Sequence, residues 1–428
     1  MRITGGRELV GSICVSGSKN AALPEMAAAI LARDRVRLSN VPRVTDTRVM
    51  GDILKALGGS AEGEGEVVLD ATNATSAEVP ADLGRRMRAT ILMLGALVGR
   101  FRRARVPRPG GDDIGARRVE QHLRGLRQMG ARIEDRPDEL IAEADDLHGA
   151  RIVFDLPTVT GTENILLAAV LAEGRTEIFN AAREPHVQDL CWLLGKMGAR
   201  IEGIGTEHLL IDGVPELHGA EHTVIPDYLE AGTYALAAAA TGGDVRLECS
   251  SPEDLNIVLL KLEQAGVDVE VGDGWFRVAR DQSATILPTD MSTWPFPGFP
   301  TDLQAQYMAL MTQADGETVI SEYVHENRFQ HVTQLAKMGA DITVEGRLHA
   351  FVHGPCALKG TELAVPDIRS GAALVIAALC ADGDSMLRNA WHVERGYEDL
   401  VGKLTAVGAK IERIVRDSGS SGGTRTYE

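Results

Sequence analysis

Two kinds of segment alternate along the chain, six times each. The first kind is apolar on nearly every side. Its copies are NAALPEMAAAILA (20–32), RATILMLGALVG (88–99), ENILLAAVLAEG (163–174), EAGTYALAAAATGG (230–243), LQAQYMALMTQADG (303–316) and SGAALVIAALCADG (370–383). A helix without a polar face predicts burial on all sides, and the many Ala residues allow close packing. The second kind reads as the end of an amphipathic helix, a glycine and then a strand. Its copies are LKALGGSAE (54–62), LRQMGARIE (126–134), LLGKMGARIE (193–202), LEQAGVDVE (262–270), LAKMGADITVE (335–345) and LTAVGAKIE (404–412). The glycines are Gly58, Gly130, Gly198, Gly266, Gly339 and Gly408, at spacings of 68 to 73 residues. Glycine suits the end of a helix because it accepts the left-handed backbone conformation. The chain therefore reads as six repeats, each with one buried helix, one half-exposed helix and several strands. Such repeats form either one closed ring or two bodies of three. A length of 428 residues favours two bodies. An open stacked solenoid is the weaker alternative, because the repeats are few and long.

Composition changes this picture little. Hydrophobic residues make up 44% and charged residues 25%, as expected of a globular protein. The net charge of −17 argues against nucleic-acid binding. Five scattered cysteines without a C-x-x-C read as reduced thiols, not a disulfide framework. No apolar run is long enough for a membrane span, and the N-terminus has no apolar signal core. The expectation is a cytoplasmic protein. The Ser/Gly-rich stretch 416–428 is expected to be disordered.

The residues before each buried helix are unusually polar: Ser18-Lys19-Asn20, Arg85-Arg86-Met87-Arg88, Thr160-Gly161-Thr162, Pro226-Asp227-Tyr228, Pro300-Thr301-Asp302 and Pro366-Asp367-Ile368-Arg369. Helix capping explains at least half of them. It does not explain Lys19, Arg88 and Arg369, since a cation is disfavoured at the positive end of a helix. An anion in front of the helix would bind both the N–H groups and the cation. If the helix starts of each body gather on one face, and the two faces oppose each other, an interdomain site for a multiply anionic ligand results. No P-loop, dinucleotide fingerprint or nucleophile elbow offers a rival. The His pairs of HGAEH (218–222) and HAFVH (349–353) lack a metal-site context, so no metal is expected. The basic run RFRRARVPR (100–108) alternates as an exposed strand does.

Eight motifs then carry a resemblance. They are SGSKNAALP (16–24), PGGDDIGARR (109–118), TVTGTENILLAA (158–169), NAAREP (180–185), PFPGFPTDLQAQ (295–306), ENRFQHV (326–332), PDIRSGAAL (366–374) and ERGYEDL (394–400). In this order they resemble the UDP-N-acetylglucosamine enolpyruvyl transferases, from about Arg2 to Arg413. Enolpyruvylshikimate-phosphate synthases share the repeats but match these motifs less well. The resemblance implies an α/β fold of two inside-out barrel domains, each of three β-α-β-α-β-β units with the buried helices central. It implies one domain over 19–226 with a mobile loop at 109–118, and a second over 1–18 plus 227–415. It also implies transfer of the enolpyruvyl group of phosphoenolpyruvate to the 3′-hydroxyl of UDP-N-acetylglucosamine, with release of phosphate and no cofactor, as the first committed step of peptidoglycan synthesis. Domain closure is expected to exclude water from the reaction.

By the same resemblance Lys19, Arg395 and Arg117 serve phosphoenolpyruvate, with Arg88 beside them. Asp302 is the base or the group that orients the hydroxyl. Asn20, Thr158, Val159, Thr160, Gly161, Val324, Arg328 and Arg369 bind substrate, and Asp367 ties a charged residue into the network. Asp112 stands where many relatives have a loop cysteine, and is expected to be the acid that protonates the methylene carbon. A carboxylate is a poor nucleophile toward the epoxide fosfomycin, so insensitivity is expected. Tyr228 replaces an Arg, Thr45 a Lys and His325 a Phe common in the family. A paralogue acting on another nucleotide acceptor therefore stays open. A repeat scaffold without chemistry is a further alternative, against which the retained Lys19, Asp112, Arg117, Asp302 and Arg395 speak.

Overall fold

The computed structural model describes residues 1–112, 114–116 and 118–414. The stretch 416–428, expected to be disordered, lies outside the described residues. One repeat shows the plan of all six. Strand Arg151–Val153 leads into the buried helix Val159–Ala169, then strand Arg175–Phe179, the amphipathic helix Pro185–Lys196, and the strands Arg200–Glu202 and His208–Asp212. This is the β-α-β-α-β-β unit. Its first two strands pair in parallel, and the remaining neighbours pair antiparallel. Five of the sheets are four-stranded with this same order. The sixth, built on Arg103–Pro107, has three strands, and a single parallel bridge between Glu78 and Arg105 takes the place of the fourth.

The chain divides into two compact units. One comprises Ser16–Asp112 and Arg117–Pro226, and the other Met1–Val15, Asp113–Ala116 and Asp227–Glu428. Each unit has its own hydrophobic core. Strand exchange closes each set of repeats. In the first unit Glu221–Thr223, after the third repeat, runs parallel to Val36–Ser39 of the first. In the second unit Val10–Cys14 supplies the parallel edge for Asp244–Glu248, and Arg2–Thr4 lies between Asp384–Arg388 and Lys410–Glu412. The N-terminal strands thus belong with the C-terminal half because two of its sheets are incomplete without them. The expected division placed Ser16 to Ser18 with the second domain. They group with the first, where Gly17 pairs with Pro226 and the Ser18 N–H donates to the Ile225 carbonyl at 2.7 Å.

All six repeat glycines are left-handed, with φ of 98, 98, 104, 85, 98 and 107° from Gly58 to Gly408. The six apolar segments form central helices, and every residue of Tyr228–Thr241 is buried. Four of these helices receive a side-chain cap at their start, from Ser18, Thr158, Asp227 and Asp367. The other two begin with a tighter 3-10 turn, Arg88–Ile91 and Thr301–Leu303, rather than with α-helix from the first apolar residue. The basic run is strand in its second half alone: Arg100 and Phe101 end the helix Leu92–Phe101 and Arg102 is its left-handed cap, whereas in Arg103–Pro107 Arg103 and Arg105 are exposed while Ala104 and Val106 are buried. Among the described residues no helix is long and apolar enough to cross a membrane.

Close packing of the central helices is concentrated at glycines. A Cβ on Gly95 would lie 2.0 Å from the Asn164 carbonyl oxygen of the neighbouring helix. The Asn164 amide donates back to the Ile91 carbonyl at 2.7 Å. Gly195 lies on an exposed helix position with open space around it. Gly95→Ala is expected to cost about 1–3 kcal/mol through overpacking. Gly195→Ala is expected to stabilise by roughly 0.4–1 kcal/mol through lower unfolded-state entropy. Urea denaturation of the two variants measures both signs.

Candidate functional site

Polar side chains gather at the starts of the central helices in each unit. In the first unit Lys19 opens the helix Lys19–Ala28, and its ammonium lies 3.4 Å from the Asp46 carboxylate. Both side chains are buried, so the pair is little screened. Asn20 follows on the same first turn and is half-buried. Arg88 opens the 3-10 turn before the next central helix. At the third start Thr158 caps the helix by accepting from the Gly161 N–H, while Thr158, Val159 and Thr160 remain half-exposed.

His122 connects two of these starts. It lies in the helix Glu120–Gln128, and its Nε2 is 2.9 Å from the Thr160 hydroxyl. Burial, reinforced by the Arg88 charge, pushes its pKa down to about 3. The imidazole is therefore neutral at working pH and acts as a fixed hydrogen-bonding group beside Arg88 and Thr160. Sequence reading passed over His122, since a lone His on a helix carries no motif.

The second unit contains the densest charge cluster. Asp302 sits in the 3-10 turn Thr301–Leu303 and does not cap its helix. One of its oxygens accepts from the Arg328 guanidinium at 2.7 Å and the other from Arg369 Nε at 3.0 Å. Arg328 also donates to the Thr301 hydroxyl at 2.9 Å. Thr301 in turn donates to Glu322 at 2.8 Å. Glu322 is fully buried and accepts the Val324 and His325 N–H groups, each at 2.9 Å, which fixes the loop before Arg328. Arg369 lies over the Tyr397 ring at 5.3 Å, and the Tyr397 hydroxyl packs against Thr233 at 2.9 Å.

The electrostatics follow from this geometry. Burial opposes ionisation of Asp302, but Arg369 and Arg328 outweigh it and hold the carboxyl below the ordinary carboxylate range. For Arg369, burial works against the charge, while Tyr397 and Asp302 stabilise it and raise its pKa. Asp367 acts locally on the turn that holds Arg369. It caps its own helix by accepting the Arg369 and Ser370 N–H groups, each at 2.9 Å, and so anchors the first turn that carries Arg369. Arg395 is buried at the end of the short helix Trp391–Glu394.

The loop of 109–118 is described in part. Asp112 is half-buried, and Asp113 and Arg117 lie outside the described residues. Gly110 is required by close approach, since a Cβ there would lie 1.9 Å from the Arg85 carbonyl oxygen. The Ala116 N–H donates to the Glu326 carboxylate at 2.8 Å, and residues 114–116 group with the second unit. Neither Glu326, Glu322 nor Asp46 was singled out from sequence. Glu326 lies inside the ENRF motif, which was the available signal.

A depressed carboxylate pKa stabilises the fold above the unfolded value of about 3.9 and loses that contribution as pH falls through the folded value. Asp302→Asn leaves two buried guanidinium groups without their counter-charge. It is expected to lower stability by roughly 3–5 kcal/mol at neutral pH. The difference from wild type should stay constant from pH 7 to 5 and shrink below about pH 4, where wild-type Asp302 begins to protonate on unfolding. Chemical denaturation across that range checks the sign.

These findings agree with comparisons to known proteins. Residues 3–404 match the family described as EPSP synthase (3-phosphoshikimate 1-carboxyvinyltransferase). A UDP-N-acetylglucosamine 1-carboxyvinyltransferase of Desulforapulum autotrophicum is 47% identical over 97% of this chain and 99% of that protein. The crystal structure of the enolpyruvyl transferase NikO from Streptomyces tendae superposes with a TM-score of 0.85 at 29% identity, over 96% of this chain and 97% of that one. EPSP synthase from Acinetobacter baumannii shares the fold, with a TM-score of 0.73 at 21% identity over 96% of this chain and 99% of that one. With its six β-α-β-α-β-β repeats and its charged helix starts, the chain belongs to the EPSP synthase (3-phosphoshikimate 1-carboxyvinyltransferase) family of enolpyruvyl transferases.

Proposed function

We propose that the protein transfers the enolpyruvyl group of phosphoenolpyruvate to the 3′-hydroxyl of UDP-N-acetylglucosamine and releases phosphate, the step that commits the sugar to peptidoglycan. The observation that carries this reading is the end-to-end likeness, at 47% identity, to an enzyme named for that acceptor. In the reaction the sugar oxygen bonds to C2 of phosphoenolpyruvate while C3 gains a proton. Loss of a proton from C3 then expels phosphate and restores the double bond. The chain must supply cations for phosphate and carboxylate, a proton donor for C3, and an acceptor for the hydroxyl.

Asp302 suits the acceptor role as an orienting group. A carboxylate clamped by Arg328 and Arg369 is weakly basic, so it can hold the hydroxyl proton in a hydrogen bond more readily than remove it. Lys19, Arg395, Arg88 and Arg117 are the candidate cations for phosphoenolpyruvate. Asn20, Thr158 to Gly161 and Val324 are candidate contacts for the sugar nucleotide, with His122 fixing Thr160. Asp112 is the candidate acid. A second reading, another nucleotide acceptor, rests on two positions. Tyr228 is a buried aromatic where the family resemblance implies a cation, and Thr45 is exposed and neutral.

Phosphate release from phosphoenolpyruvate tests both readings. Wild type should release phosphate with UDP-N-acetylglucosamine and remain active after exposure to fosfomycin. Asp112→Ala should lose about 10²–10⁴-fold in kcat, the range for removing a general acid. Asp112→Cys should retain activity and become irreversibly inactivated by fosfomycin. Absence of release with this acceptor, alongside release with a different nucleotide sugar, would favour the second reading. A covalent fosfomycin adduct on wild type would overturn the role given to Asp112.

A further inference from the structure

Four repeats carry a left-handed, non-glycine residue directly after the strand that follows their buried helix. Three are asparagines, Asn40, Asn180 and Asn389, with φ of 58, 59 and 57°. The fourth is Cys249, with φ of 56°. Asparagine tolerates this conformation, whereas cysteine has no such preference.

Two of the asparagines show what the position does. The Asn40 amide donates to the Val224 carbonyl at 2.9 Å, and the Asn180 amide to the Phe154 carbonyl at 3.1 Å. Each acceptor is the first residue beyond the parallel edge strand, Glu221–Thr223 in one repeat and Arg151–Val153 in the other. The side chain therefore stitches the ends of two parallel strands. In the Cys249 repeat the edge strand is Val10–Cys14, and the corresponding acceptor is Val15. Here the Cys14 thiol is directed at the Val15 carbonyl at 3.9 Å. The Cys14 and Cys249 side chains are near enough to influence each other's ionisation, and both residues are exposed.

We propose that Cys14 and Cys249 are a redox-active pair that closes to a disulfide, replacing covalently the stitch that asparagine makes in the sister repeats. The backbone permits it. Cys14 pairs in register with Glu248, and Cys249 is the next residue. Strand spacing and rise place such diagonal neighbours roughly 6 Å apart between Cα atoms, inside the usual disulfide range of about 4.4–6.8 Å. The left-handed φ breaks the alternation of side chains that would otherwise point Cys249 to the opposite face. Partial desolvation, then the neighbouring Cys249, pushes the Cys14 thiol up to about 11, which slows oxidation at neutral pH without preventing it.

The oxidant is a small-molecule disulfide. One protein thiolate displaces one of its sulfurs and forms a mixed disulfide. The second protein thiolate then attacks the protein sulfur and expels the other small thiolate. The protein loses two protons and two electrons, and the oxidant becomes two thiols. The cross-link ties down the strand that ends where the chain passes from one unit to the other, between Val15 and Ser16.

The test uses the full chain incubated with glutathione disulfide, then denatured, alkylated, digested and analysed by mass spectrometry. The expected result is a Cys14–Cys249 linked peptide and loss of two of the five alkylatable thiols, reversed by dithiothreitol. Oxidised wild type should melt at a higher temperature than reduced wild type. Cys14→Ser should abolish the link. Cys249→Asn should abolish it too, yet melt under reducing conditions no lower than wild type, because it restores the residue of the sister repeats. Recovery of all five thiols, a glutathione adduct that never resolves, or equal thiol loss in Cys14→Ser would each overturn the proposal.

Discussion

Six helices in this chain have no face toward water, and that constraint shapes everything polar in the protein. Along their length ionisable side chains are few, and burial favours the neutral form of those present, Glu25, Glu163 and Glu230. The ends offer the unsatisfied backbone groups, and most of the charged side chains gather there. Ser18, Thr158, Asp227 and Asp367 satisfy four of the starts. Lys19, Arg88, Asp302 and Arg369 occupy starts as well, and they are the residues with chemistry to offer. The sheets and the amphipathic helices lie outside because each has a face that tolerates solvent, as the alternating burial of His208–Asp212 shows for a strand.

Charges confined to such places must be neutralised within the protein. Asp302 balances Arg328 and Arg369, and Asp46 balances Lys19. A paired buried charge adds little net stability, but it holds each partner in a fixed orientation. That suits transfer of a phosphate-bearing group, where cations set in advance need no reorganisation when negative charge develops. The same arrangement limits what Asp302 can do, since a carboxylate stabilised by two guanidinium groups gives up basicity.

Repetition explains where these partners come from. Asp302 and Arg369 are 67 residues apart, close to one repeat, so their contact joins the starts of successive central helices. Departures from the repeat are informative in the same way. Asp302 is the acid at a helix start that does not cap, and Cys249 occupies a left-handed site that asparagine fills elsewhere.

The sequence by itself determined the repeats, the buried and half-exposed helices, the six left-handed glycines and the residues at the helix starts. These are local properties: helix period, burial and backbone conformation act within about twenty residues, so they leave a readable pattern. Capping by Ser18 and Asp367 was legible for the same reason. The tertiary structure alone decided which strand closes each ring, that Arg2–Thr4 completes a sheet with Asp384–Arg388, and that His122 fixes Thr160. It also decided that Lys19 meets Asp46 and that Glu322 braces Thr301 and the Val324 loop. Those partners come from different elements, and neither residue of a pair carries a sign of the other. Their meeting is fixed only when packing of the central helices sets the distance between them.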